Sequence, residues 1–238
     1  MKFRRTIAAL ALAAVLSGGA FAQQRPDAEI QAELQRRIGS GTGVTIAVGK
    51  GVATLTGMAP SLAQRLSIIN VARRTIGVRE VVDRVTVVPA QKRSDEQIAR
   101  SVREILAGNL SKEELAATTI RVENGVVVLT GTLPSSYPKQ LARTLASLAP
   151  GAVDIRNEIV VRPPVSRSGA DILSDVEGRY ARNPFISTSP IKVAVESGVV
   201  TLTGTVDSFL QAEQAESVAR FVPGVIDVRN LLFVRAGD

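Results

Sequence analysis

Arginine is the residue type with which this chain could do chemistry. Between Leu34 and Arg79 there is no acidic residue, and the same 46-residue stretch holds Arg36, Arg37, Lys50, Arg65, Arg73, Arg74 and Arg79. Guanidinium groups without carboxylate neighbours attract phosphates and other anions. The matching stretches further along are interrupted by Glu104, Glu113, Glu114 and Glu123, and then by Glu196, Asp207, Glu213 and Glu216. The chain has no histidine, no cysteine and no tryptophan. Without His or Cys, the usual zinc, copper and non-haem iron ligand sets cannot be built. The commonest general base and nucleophile pairs are missing too. No pairing of Asp, Glu, Ser, Lys or Tyr recurs or clusters, so neither an enzyme nor a cofactor or metal site is expected.

The elements that must position the arginines are announced by a repeat. Val-Ala-Thr-Leu-Thr-Gly at Val52–Gly57 returns as Val-Val-Val-Leu-Thr-Gly at Val126–Gly131 and as Val-Val-Thr-Leu-Thr-Gly at Val199–Gly204. The steps between the closing glycines are 74 and 73 residues. A period of this length is one small domain copied three times. Each closing glycine, Gly57, Gly131 and Gly204, marks a structural position that a Cβ would obstruct.

Every copy opens with a helical stripe at spacing three to four: Ile30, Leu34 and Ile38; Ile98, Val102, Ile105 and Leu106; Ile172, Val176 and Tyr180. Asp27 reads as the cap of the first. Ser94 caps the second, with Gln97 completing a capping box, and Ser168 precedes the third. The period then falls to two at Val44, Ile46 and Val48, at Thr118, Ile120 and Val122, and at Ile191, Val193 and Val195. The turns Lys50-Gly51, Asn124-Gly125 and Ser197-Gly198 suit two-residue hairpins with positive φ at both positions. A second helix spans Ser61–Ile76, Ser136–Ala149 and Ser208–Val222, stopped by Gly77, Gly151 and Gly224. The last strand runs through Val81, Val85 and Val87, through Ile155, Ile159 and Val161, and through Val228, Leu232 and Val234. Each carries one polar residue on its inner face, Asp83, Asn157 or Asn230, read as a cap for backbone groups at the sheet edge. The fold class is therefore α+β, three tandem α-β-β-α-β units, each a three-stranded sheet with two helices on one face.

The division expected is 1–22 as an export signal, then units at 23–90, 91–163 and 164–238. Lys2, Arg4 and Arg5 precede a short apolar run from Ile7 to Leu16, and Ala20-Phe21-Ala22 offers a small-x-small cleavage site. This points to a periplasmic protein cleaved near Ala22. With no cysteine, no lipid can be attached at a mature N-terminal Cys. The formal charge is +7. The three units carry +4, +2 and −2 in chain order. Neighbouring units should touch, because the linkers Pro89–Arg93 and Pro163–Arg167 are short.

The Gly-Val-x-x-Leu-Thr-Gly hairpin, the Pro223-Gly-Val225 step and Val228-Arg-Asn230 resemble the BON domain, the bacterial outer-membrane and nodulation domain. Three bare copies after an export signal are similar to osmotically inducible periplasmic proteins. The resemblance implies an envelope location, a role in binding phospholipid surfaces and assistance to exported proteins, with no catalytic residues to carry over. Unit one departs from the pattern, having Ile76-Gly77 in place of Pro-Gly and Asp83 in place of Asn.

Together these readings give a peripheral binder of anionic phospholipid surfaces, with Arg65, Arg73, Arg74 and Arg79 as the lipid-facing residues. A periplasmic chaperone or protein scaffold, with other envelope proteins as partners, is the competing expectation. Nucleic acid is not an expected partner, because the chain is exported and lacks interleaved aromatic and basic residues. Tyr137 and Phe209, near the starts of their second helices, could reach an interface, but are read first as completing small cores.

Overall fold

A computed structural model describes residues 25–39, 41–186 and 189–235. The expected export signal at 1–22 lies outside the described residues.

Unit one consists of helix α1 (Asp27–Ile38), strands β1 (Val44–Gly49) and β2 (Val52–Ala59), helix α2 (Leu62–Arg73) and strand β3 (Glu80–Val87). Unit two has α3 (Asp95–Ala107), a short α4 (Lys112–Ala116), β4 (Thr118–Glu123), β5 (Val126–Leu133), α5 (Ser136–Ala146), β6 (Asp154–Asn157) and β7 (Val160–Val161). Unit three has α6 (Gly169–Ala181), β8 (Ile191–Glu196), β9 (Val199–Val206), α7 (Phe209–Arg220) and β10 (Asp227–Val234). In each sheet the middle strand pairs antiparallel with the strand before it and parallel with the strand after it. The parallel pairing requires a crossover, and the second helix supplies it. The expected α-β-β-α-β unit is thus present three times. Unit two adds α4, and its last strand breaks between β6 and β7.

The repeated hairpin is the centre of each core. Leu55, Leu129 and Leu202 are fully buried, as are Ala53, Val127 and Val200 beside them. All three turns have positive φ at both positions: 52° and 74° at Lys50-Gly51, 51° and 78° at Asn124-Gly125, 48° and 78° at Ser197-Gly198. The closing glycines are obstructed as expected. A Cβ on Gly57, Gly131 or Gly204 would drive into the carbonyl oxygen of Gly43, Ala117 or Pro190, the residue just before the neighbouring strand.

Two details differ from the sequence reading. The second helices end two or three residues early, at Arg73, Ala146 and Arg220. Past these points the chain tightens into successive three-residue turns, Thr75 N to Ala72 O and Val78 N to Thr75 O in unit one, with matching bonds in the others. Asp27 is not a cap. Pro26 holds that position without a side-chain bond, and the Asp27 carboxylate reaches the hairpin turn instead, accepting from Lys50 N at 2.7 Å and Gly51 N at 2.8 Å. The capping box of Ser94 with Gln97 is present.

The units pack on one another. Leu62 and Leu66 of α2, with Val87 of β3, join the core of unit two. Phe209 of α7 packs on the core of unit one. Ser136 is fully buried and donates to the Arg220 carbonyl of unit three at 3.0 Å. Tyr137 stacks on Phe221 with ring centroids 4.7 Å apart. Tyr137 and Phe209 therefore serve joints between units.

Candidate functional site

Each expected lipid-facing arginine has a defined place. Ser61 caps α2 by accepting from Gln64 N, which fixes the first turn and sets Arg65 facing the last strand. Arg65 bonds Asp83 through Nε at 2.9 Å and Nη2 at 2.8 Å. Arg74, just past the end of α2, bonds Glu213 of α7 through Nε at 3.0 Å and Nη2 at 2.6 Å. Arg79 lies against the Gly51 turn, where its Nε is buried with no hydrogen-bond partner among the described residues. Arg73 is exposed and, among the described residues, meets no carboxylate. The acid-free stretch of sequence is thus not an acid-free surface. Asp83 from β3 and Glu213 from another unit neutralise two of the four arginines.

The structure does bring Arg73 into a groove where α2, α5 and α7 face one another. This groove has a volume of about 560 Å³ and is lined by Asn70, Arg73, Tyr137, Gln140, Glu213 and Phe221. Its lining mixes apolar, amide and charged side chains, and Arg220 there is paired with Glu216 at 2.7 Å. Among the described residues, no group of three or more carboxylates could hold a metal ion.

The polar residue of each last strand is a backbone tie. Asn157 Nδ2 donates to the Lys139 carbonyl at 2.7 Å, and Asn230 Nδ2 donates to the Ala212 carbonyl at 3.1 Å. Their Oδ1 atoms accept from Ile159 N and Leu232 N, two residues on. Asp83 accepts from Val85 N in the same way.

Sequence reasoning missed the outer face of unit three. Arg229, Leu231, Phe233 and Arg235 alternate with the buried residues of β10 and all point to solvent. Leu231 is 64% exposed and Phe233 61%. Lys192 joins the same face, since Lys192 and Leu231 both pair with Thr203 of the middle strand. Asp207 approaches Arg235 at 3.6 Å at the rim, where both side chains are largely exposed. The signal was present as apolar residues at two successive outward positions of β10, Leu231 and Phe233. The inward set Val228, Leu232 and Val234 by itself marks the strand and masks the outward one. Among the described residues, no helix is long and apolar enough to cross a membrane.

Comparison with known proteins agrees with this repeated architecture. The chain is 28% identical over 118 residues to osmotically-inducible protein Y of Escherichia coli (strain K12), covering 47% of this chain and 59% of that protein. It is 33% identical over 139 residues to the 21 kDa hemolysin of Actinobacillus pleuropneumoniae, covering 55% and 71%. It is 30% identical over 106 residues to the outer membrane lipoprotein DolP of Haemophilus influenzae (strain ATCC 51907 / DSM 11121 / KW20 / Rd), covering 43% and 54%. Less than two thirds of the length of osmotically-inducible protein Y and of DolP is therefore spanned. The BON domain pattern matches residues 26–89, 94–163 and 168–236, and with nearly all of its folded length accounted for, the chain belongs to the BON domain family.

Proposed function

We propose that this protein is a non-enzymatic component of the bacterial envelope that docks peripherally on anionic phospholipid surfaces, with the outer sheet face of unit three as the contact. Its kinship with an osmotically inducible protein and an outer membrane lipoprotein supports a periplasmic setting and a part in envelope maintenance or osmotic stress. The observation that carries the reading is the stripe Arg229, Leu231, Phe233 and Arg235 with Lys192 beside it. An aromatic and an aliphatic side chain flanked by cations match the boundary between headgroups and acyl chains. Each cation near an anionic bilayer contributes about 1 kcal/mol before screening. Arg73, exposed and in no ion pair among the described residues, adds attraction from unit one. Arg65 and Arg74 act mainly within the protein, and Arg79 stays beside its turn.

Co-sedimentation with vesicles of phosphatidylglycerol mixed into phosphatidylcholine, against phosphatidylcholine alone, tests the reading across a salt series. Binding should require the anionic lipid and weaken as salt rises. Leu231→Ser with Phe233→Ser should weaken it by at least about tenfold, since partial burial of two such side chains is worth more than 1.4 kcal/mol. If the parent ignores lipid charge, or the double variant binds as well as the parent, docking on lipid fails. The protein-scaffold reading then takes its place.

A further inference from the structure

The three hairpin turns have one backbone conformation but two different surroundings. In unit one the Asp27 carboxylate takes the two turn amides, one on each oxygen: Lys50 N on Oδ2 at 2.7 Å and Gly51 N on Oδ1 at 2.8 Å. In unit two Asp95 does the same, with Asn124 N on Oδ2 and Gly125 N on Oδ1, both at 2.9 Å. Both aspartates are the first residue of their unit's opening helix. In unit three that position is Gly169. Ser197 and Gly198 keep the same turn, with φ of 48° and 78°, yet among the described residues nothing accepts from their amides.

The place of the missing carboxylate is open. A cavity of about 400 Å³ is lined by Ser197, Gly198, Gly169, Arg167, Val165 and Val161. Arg162, Pro163 and Ile226 are also part of its wall. Arg167 uses Nη1 for Asp175 at 2.7 Å and for the Pro223 carbonyl at 3.3 Å. Its Nε and Nη2 have no acceptor among the described residues. The nearest carboxylate on the opening helix, Asp171, is turned to the Ser168 hydroxyl at 2.6 Å. The site therefore has two parallel N–H donors, arginine charge and an aliphatic wall.

We propose that the unit-three turn captures the carboxylate of a peptide, which takes the position that Asp27 and Asp95 fill in the other two units. The paired amides suit a planar two-oxygen group, one oxygen to each donor, as both internal carboxylates demonstrate. The cavity is larger than a lone ion needs, and its valines and Ile226 accept an aliphatic neighbour of the bound group. The carboxylate is that of a chain terminus or of an Asp or Glu side chain.

Amide chemical shifts of the full chain, followed by nitrogen-15 NMR, test this. Three short peptides serve as probes: one ending in valine with a free carboxylate, the same peptide as its C-terminal amide, and an amidated peptide with an internal Asp. The Ser197 and Gly198 amides should shift with the free acid, and a shift with the Asp peptide assigns side-chain carboxylates as ligands as well. The neutral amide should cause none. Gly169→Asp should abolish the response by filling the site from within, as in units one and two. Gly169→Ala should retain it, because a Cβ there meets only ordinary contacts, 3.4 Å from Val195 O at the nearest. The melting midpoint of Gly169→Asp, equal to or above that of the parent, verifies its fold. Persistence of the shifts in Gly169→Asp overturns the proposal, as does a response to sodium acetate without a response to any peptide, or no response to either. Vesicle binding by Gly169→Asp should equal that of the parent, so this result is independent of lipid docking.

Discussion

Arg65 and Asp83 form a two-pronged ion pair, 2.9 and 2.8 Å, that ties α2 to β3 in unit one. Units two and three make the same tie with an asparagine in place of the ion pair, and in unit three the Asn230 amide also donates to Glu216 at 3.1 Å. There an asparagine amide donates to the carbonyl of the residue four positions after the helix cap, Lys139 or Ala212. Arg65 occupies that same position in unit one. Asp83 cannot donate to a carbonyl, so the side chain of Arg65 does the donating.

Removing one partner should therefore be costly, and exchanging both should not. Arg65 and Asp83 side chains are 27% and 19% exposed. Asp83→Ala should destabilise unit one by about 1.5–3 kcal/mol, the range for hydrogen bonds to charged groups. Arg65→Ala combined with Asp83→Asn should recover most of that loss by recreating the neutral tie. Urea melts of the parent, the single and the double variants decide it. A double variant no more stable than Asp83→Ala rules out the exchange. Arg65→Glu should destabilise the unit by setting two carboxylates together. Reversing Arg65, Arg73 and Arg74 at once is thus not a fold-neutral test of lipid binding.

The closing glycines should be far less replaceable than a loop glycine. Gly131 and Gly204 have φ of 129° and 120°, with a neighbouring carbonyl where a Cβ would stand. Gly39 has φ of 83°, but nothing lies within 4 Å of its Cβ position. Gly131→Val or Gly204→Val should cost about 2–4 kcal/mol more than Gly39→Ala, the sum of strain and overlap. Equal urea midpoints for these variants would show that the backbone tolerates the change.

Asp27 should make unit one sensitive to acid. The Gly51 amide, then the Lys50 amide, hold its carboxyl below the usual range, with a smaller contribution from Arg79. A folded pKa below the unfolded one means stability that is fully present above the unfolded value. It is lost as pH falls through the folded value. The stability gap between the parent and Asp27→Asn should thus be constant near neutrality and close below about pH 4. Thermal melts of both proteins from neutral to acid pH measure the gap. A gap that widens on acidification contradicts the assignment.

Contacts between units should depend on the aromatic joint more than on the ion pair. Arg74 and Glu213 side chains are 53% and 35% exposed, so solvent screens the pair and its contribution is small. The Tyr137–Phe221 stack contributes about 0.5–1.5 kcal/mol beyond its buried area. Phe221→Ala should speed proteolytic cutting in the Pro163–Arg167 linker, while Glu213→Gln should leave it nearly unchanged. The reverse order of sensitivities would place the joint in the ion pair.

Much was legible in the sequence because it rests on local rules. Alternation placed Leu55, Leu129 and Leu202 inward. The turn pairs fixed the hairpins, and the recurrence of Gly57, Gly131 and Gly204 marked a close backbone approach. These features depend on residues a few positions apart, and three copies in register made them plain. Partners of side chains were not legible, because sequence distance does not report separation in space. Arg65 and Asp83 lie 18 residues apart, and Arg74 and Glu213 lie 139 apart. Asp27 resembled a cap because its sequence context is that of a helix start, yet its carboxylate accepts from the hairpin amides 23 and 24 residues on. The sequence by itself determined three α-β-β-α-β units and their cores, through periodicity that any folded solution had to bury. Only the tertiary structure decided which arginines remain free, which apolar residues stay in solvent on β10, and that the third turn lacks its carboxylate. Those outcomes depend on which surfaces meet when the units pack, and no local pattern encodes that.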